Sequence, residues 1–243
     1  MLTLSRLRLL TAKLSAHFLH RWLMLLLALP ILIWALTGSY FVLMDLGYIR
    51  SDHVKPVKVN YLSLSEFNYP VADVYRRYPQ AETISLKNLA NRNYYQVRIK
   101  GKTLLIDASS GLLVNQLSEQ QATAIAQRLQ HPQSIASDAK LLRVTLITEH
   151  PPSELAKRHL PVWRVDFDDS ASSTVYISSS SGEVVTRRHD YWRLFDLFWK
   201  WHIMDYDDGE AIDNKLLLTA AMISIIAVLA GLFLVWQRRR RYL

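Results

Sequence analysis

Eight histidines and no cysteine bound the chemistry open to this chain. Thiolate metal sites, cysteine nucleophiles and disulfides are excluded. Imidazole remains, and imidazole is an axial ligand of haem iron. Two histidines stand out by position. His20 ends a basic N-terminal stretch just before a long apolar run. His202 lies in the aromatic segment Tyr191 to Tyr206, with Trp192, Phe195, Phe198, Trp199 and Trp201, shortly before a second such run. Each has two readings: a residue lying among lipid headgroups, or a haem ligand. His17 precedes His20 by three residues and shares its helix face, so the two cannot sandwich one haem, and each would need an imidazole from another helix.

The run Asp205, Asp207, Asp208, Glu210 and Asp213 has the oxygen donors of a hard-cation site; it reads equally as a solvated acidic loop. No G-x-S-x-G, H-E-x-x-H or phosphate-binding loop occurs. Nor is there a dinucleotide fingerprint, so any electrons would come from a partner or from quinol.

The elements that position these residues begin with the two apolar runs. Trp22 to Met44 and Leu216 to Trp236 carry no charge, and about 20 such residues cross a hydrocarbon core of about 30 Å. The first run is too long for a signal-peptide core and no A-x-A site follows it, so it reads as an uncleaved anchor. Arg6, Arg8, Lys13 and Arg21 precede it, and Arg238, Arg239, Arg240 and Arg241 follow the second. These two tails account for the whole formal charge of +8; the intervening 21 basic and 21 acidic residues cancel. Positive flanks stay in the cytoplasm, which places both termini there and the middle of the chain outside. The high pI therefore speaks for anionic lipid and not for nucleic acid. Residues 2–20, with Leu2, Leu7, Leu9, Leu10, Leu14 and Phe18 among Arg, Lys and Ser, predict an amphipathic helix on the inner surface that turns into the first span. On this topology His20 and His202 sit at opposite faces and cannot share a haem. Two haems, one near each face, would suit electron transfer across the bilayer.

The outer segment contains a repeat. Thr103-Leu-Leu-Ile-Asp-Ala-Ser-Ser-Gly-Leu-Leu-Val114 matches Thr174-Val-Tyr-Ile-Ser-Ser-Ser-Ser-Gly-Glu-Val-Val185, and Tyr95-Gln-Val-Arg-Ile99 matches Trp163-Arg-Val-Asp-Phe167. The offset changes between the two stretches, so the second unit has three extra residues in its connection. Alternation at Tyr95, Val97, Ile99 and at Trp163, Val165, Phe167 predicts half-buried strands in hairpins. Gly111 and Gly182 fall at one register, where a turn with positive φ is expected. Helices are predicted over 65–78 and 118–130, the second opened by a Ser118–Gln121 capping box. The outer domain is then α+β, two helix-plus-antiparallel-sheet units.

This repeat resembles the PepSY domain, a helix followed by an antiparallel sheet with a D-x-x-[ST]-G turn. Asp107 to Gly111 fits; Ser178 to Gly182 fits with Ser in place of Asp. Leu19-His-Arg-Trp-Leu23, Ala35-Leu-Thr-Gly38 and Trp201-His-Ile-Met-Asp-Tyr-Asp-Asp208 resemble the PepSY-associated transmembrane family. The fold class expected is a membrane α+β protein: two transmembrane helices flanking an extracytoplasmic domain of two PepSY-like units. The expected layout is a basic amphipathic segment (1–21), transmembrane helix (22–44), PepSY-like units (45–117 and 118–190), an aromatic and acidic interfacial segment (191–215), transmembrane helix (216–236) and basic tail (237–243). The resemblance implies the cytoplasmic (inner) membrane, with the domain periplasmic. It also implies iron acquisition or membrane electron transfer, with His20 and His202 as ligands of haem; longer relatives have four spans, so haem here would need a dimer or a redox partner. PepSY modules elsewhere bind or inhibit secreted peptidases, which implies the alternative of a non-catalytic binding module for a partner protein. Small residues at Ala220, Ser224, Ala227 and Gly231, and at Ala28, Ala35 and Ser39, would let one stripe join the two spans and the other form a homodimer.

Overall fold

The computed structural model describes residues 4–51, 67–129, 139–207 and 209–240, with side chains from residue 15 onward. Most of the predicted amphipathic face of residues 2–20, and His131, Asp208 and Arg241, lie outside the described residues. The chain divides into two compact units, Met1–Asp45 with Leu194–Leu243, and Leu46–Arg193.

The first unit is helical. Helix α1 runs from Leu4 to Leu43 without interruption. At 1.5 Å per residue it is about 60 Å long, roughly twice a hydrocarbon core. The expected change of direction near His20 does not occur. Lys13, Leu14, Ala16, Leu19 and Arg21 are good helix formers, and neither Gly nor Pro intervenes before Pro30. Helix α6, Lys215–Arg239, is the second apolar helix. Ser15–Leu43 and Lys215–Arg239 are each long and apolar enough to cross a membrane. Asn214 caps α6 by accepting the Leu217 N–H at 2.8 Å. The two helices pack on each other with Leu27, Thr37, Ala220 and Ala227 buried, a contact in which alanines let the backbones approach. Ala28, Ala35 and Ser39 are exposed, so the small residues of α1 point elsewhere.

The second unit opens with the short helices α2, Leu46–Ile49, and α3, Val71–Arg77. Two four-stranded antiparallel meanders follow, β1-β2-β3-β4 and β5-β6-β7-β8. The first comprises Thr83–Leu89, Arg92–Ile99, Lys102–Asp107 and Leu113–Val114. The second comprises Lys140–Ile147, Val162–Asp168, Thr174–Ser178 and Val184–Arg188. Helix α4, Glu119–Gln127, lies between them in sequence, and α5, Asp190–Ile203, follows the last strand. The predicted hairpins are the central pairs β2-β3 and β6-β7. Strands β1, β4, β5 and β8 were not legible, because β1 and β5 are largely exposed edge strands and β4 is two residues long. Helix α3 is shorter than predicted: Pro70 is its N-cap, and a residue before proline is turned away from helical backbone. The capping box at Ser118 and Gln121 is present.

The two sheets share one register. Gln96 faces Leu105 and Arg98 faces Thr103 in the first; Arg164 faces Tyr176 and Asp166 faces Thr174 in the second. The three extra residues fall in the β6-β7 loop. The turns after β3 and β7 match as well, with Gly111 N–H donating to Asp107 O at 2.8 Å and Gly182 N–H to Ser178 O at 3.0 Å. Asp107 Oδ1 accepts the N–H and hydroxyl of both Ser109 and Ser110, while Ser178 Oγ accepts the Ser181 N–H at 3.2 Å and shares a hydrogen bond with the Ser180 hydroxyl at 3.3 Å. Serine thus replaces the aspartate with two bonds where there were four.

The main core joins both sheets through α4: Tyr94 and Leu105, then Leu117, Ala122 and Ile125, then Trp163, Val165 and Ile177. Trp163 Nε1 donates to Leu117 O at 2.9 Å, and Leu117 N–H to Ser179 O at 2.7 Å. The opposite face of the first sheet, with Tyr95, Val97 and Ile106, is covered around Val74 of α3.

Gly111 has φ +72° and an added Cβ would stand 2.4 Å from the Tyr69 ring; Gly101 has φ +75° with open space around it. Gly101→Ala should cost only the backbone penalty, about 1–2 kcal/mol. Gly111→Ala should cost visibly more, because an aromatic ring must also move. Urea denaturation of the two variants checks this; equal losses would contradict the packing at Tyr69.

Candidate functional site

The two predicted site histidines lie in the helical unit, His20 where α1 meets α6 and His202 where α5 meets α1. His20 Nδ1 is 2.9 Å from Ala227 O of α6. A carbonyl only accepts, so Nδ1 carries the proton and the lone pair of the neutral ring is on Nε2. Gly231 makes room for the ring: a Cβ there would stand 3.0 Å from His20 Cε1. His202 Nδ1 is 2.8 Å from Thr37 Oγ1. That hydroxyl already donates to Ile33 O at 2.7 Å, so again Nδ1–H is the donor and Nε2 holds the lone pair. Trp34 Nε1 donates to His202 O at 2.7 Å. From His20 to Thr37 is seventeen residues of α1, about 26 Å along the axis. The two imidazoles therefore belong to separate places. His17 is exposed.

An apolar helix pair makes a bare imidazole costly. Here that cost is met by Ala227 and Thr37, and both histidines act as polar ties between helices. Their Nε2 lone pairs are the tautomer that a metal requires, but one chain supplies one imidazole at each level. Among the described residues no group of three His, Asp or Glu side chains is placed to hold a metal ion.

The aromatic segment is helix α5, and its rings stack on α1. Phe195 lies 4.9 Å from Phe41, Phe198 4.9 Å from Tyr40, and His202 5.4 Å from Phe41, between ring centroids. The acidic run beyond it is in part a structural turn. Asp205 is buried and accepts the N–H groups of Asp207 at 3.2 Å and Ala211 at 3.0 Å.

The residues that sequence reasoning missed lie on the second sheet, on the face turned away from α4. They surround an open cavity of about 470 Å³. Glu154 and Arg193 form its floor. Arg193 donates Nε to Glu154 Oε2 at 2.8 Å and Nη2 to Oε1 at 3.3 Å, and reaches Thr174 Oγ1, Ser172 O and Asp190 with the rest of its fork. Tyr176 hydroxyl donates to Glu154 Oε1 at 2.6 Å. Burial opposes ionisation of Glu154, but the bonds from Arg193 and Tyr176 outweigh it and hold its carboxyl below the usual range. Burial, and then the bond to Glu154, push the Tyr176 phenol up.

The wall is a second pair. Arg164 donates Nε to Asp166 at 2.9 Å, and Thr174 hydroxyl donates to the same carboxylate at 2.8 Å. Arg143 stands directly across the strand pair from Asp166. The sequence signal was the polar alternation Arg164, Asp166 between Trp163, Val165 and Phe167. Such alternation is what any solvated strand face shows, so it pointed nowhere by itself.

Residues 116–188 match the family model described as the peptidase propeptide and YPEB domain, PepSY. The chain thus carries a PepSY domain, which spans α4 and the whole second sheet; the first sheet lies outside the matched residues. No curated protein and no solved structure matches the chain.

Glu154 has a lowered folded pKa, so its contribution to stability is complete above the ordinary value of 4.5 and is lost as pH falls through the folded value. Glu154→Gln should therefore cost about 1–3 kcal/mol near neutral pH, the scale of a partly buried charged hydrogen-bond network. The deficit should shrink below about pH 4 as the wild-type carboxyl protonates. Denaturation midpoints of both proteins across that range test this. A deficit independent of pH would mean that the charge of Glu154 contributes nothing.

Proposed function

We propose that this chain is an integral protein of the cytoplasmic membrane, held by α1 and α6 with both termini inside, whose Leu46–Arg193 unit is an extracytoplasmic binding module for a partner protein. The observation that carries the reading is the PepSY match between two helices that are each long and apolar enough to cross a membrane. The basic tails supply the orientation. On this reading both sheets are PepSY-like, the first without its own family match, and the module acts by binding. The cavity at Arg164 and Glu154 is lined by ion pairs that support binding.

Two measurements bear on it. A reporter fused after Leu243 should be active only in the cytoplasm and one inserted near Ser172 only outside; an exported C-terminus would overturn the two-span topology. A photo-cross-linking residue at Ser153 or Leu142, on the rim of the cavity, should give a discrete adduct in growing cells, and one at Ser109 a weaker one or none. No adduct from any position on the unit would overturn the binding reading.

A second reading, haem-linked electron transfer, is supported by the Nε2 lone pairs of His20 and His202 and by the transmembrane-family resemblance of the stretches that carry them. It needs a second chain to complete six-coordinate iron. Protein from haem-replete cells would then show a Soret band, with His20→Ala and His202→Ala each removing a different haem. A colourless, folded protein would end this reading.

A further inference from the structure

The shared register of the two sheets says what the cavity on the second one is for. In the first sheet, the face bearing Tyr94, Gln96 and Leu105 is covered by the half of the domain that follows it. Leu105 and Tyr94 enter the main core, Gln121 Nε2 of α4 donates to Tyr94 hydroxyl at 2.6 Å, and Gln96 Nε2 donates to Glu183 Oε1 at 2.9 Å. The matching face of the second sheet bears Val162, Arg164 and Tyr176. Among the described residues of this unit, no second sheet packs on it. Leu155 packs on Val162 and Tyr176 at one end, and the other end is the cavity.

Arg164 occupies the register position of Gln96, the residue that meets a carboxylate arriving from the next half. Its Nε is used by Asp166. Its guanidinium lies 6.0 Å over the Tyr176 ring, and among the described residues no hydrogen-bond acceptor reaches its two Nη atoms or the guanidinium of Arg143 beside it. Arg193, by contrast, is consumed by Glu154, Thr174, Ser172 and Asp190. The lining holds three arginines against the two carboxylates Glu154 and Asp166, with Asp190 pairing Arg193 from beside it, so an incoming anion would meet the open donors of Arg164 and Arg143 rather than a net charge. A phosphate dianion would face the two resident carboxylates, whereas a planar carboxylate matches the open edge of a guanidinium with two parallel bonds.

Resting on the binding-module reading, we infer that the cavity at Arg164 and Arg143 receives an acidic side chain from a partner polypeptide, in the place where Glu183 meets Gln96 in the first sheet. The occupant is a protein segment because the equivalent position of the first sheet, at Gln96, is filled by one, Glu183.

The test uses full-length protein in detergent and a fluorescein-labelled peptide of six glutamates, with a six-glutamine peptide and free glutarate as controls. Fluorescence anisotropy should show the glutamate peptide binding and the glutamine peptide not. Arg164→Lys retains charge and the Asp166 pairing but loses the fork, and should weaken binding by about tenfold. Arg143→Gln, at an exposed position that cannot unfold the sheet, should weaken it severalfold. Absence of peptide binding, or binding unchanged in both variants, would overturn the inference. Displacement by glutarate at equal carboxylate concentration would also overturn it, by assigning the cavity to a small free anion. A Ser153 adduct in cells that persists in the Arg143→Gln, Arg164→Lys double variant would remove this assignment while leaving the binding-module reading in place; loss of adducts from every position in the wild type would remove both.

Discussion

A sheet has two faces, and each must be covered or made polar. That constraint organises the Leu46–Arg193 unit. The first sheet meets it with α3 on one face and with α4 and the second sheet on the other. The second sheet uses α4 on the equivalent face, and among the described residues of this unit no further sheet lies against its remaining face. The segment around Leu155 covers the apolar end, and the rest is made polar by Arg164, Asp166, Thr174 and Glu154.

The polar end is held by cost as much as by attraction. Removing one member of a partly buried charged network leaves the others short of partners. Arg193 spends its whole fork on fixing Glu154, and Glu154 in turn fixes the Tyr176 hydroxyl. This rigid floor leaves Arg164 and Arg143 as the groups with donors still directed at solvent.

In the helical unit the same principle acts on two imidazoles. The Nδ1–H donors of His20 and His202 each find an acceptor across a helix contact. Gly231 and Thr37 are as necessary to this as the histidines, one by leaving space and the other by offering a hydroxyl whose own proton is already committed to Ile33.

Much was legible from composition and period alone. The two apolar helices, the α+β class, the Ser118 capping box, the paired glycine turns and the β2-β3 and β6-β7 hairpins follow from local rules: uninterrupted apolar length, a side-chain period of two, and φ values that glycine accepts. The outer strands escaped because exposed edges carry no such period, and the bend expected near His20 failed because no residue there breaks a helix. Tertiary structure alone decided the rest. Glu154, Arg164 and Arg193 come from a loop, a strand and a helix, and nothing in their spacing declares that they meet. The partners of His20 and His202 lie 207 and 165 residues away in the chain. Local sequence dictates how a segment folds back on itself; which distant group satisfies a buried donor is settled only when the elements pack, because that is when the donor loses its water.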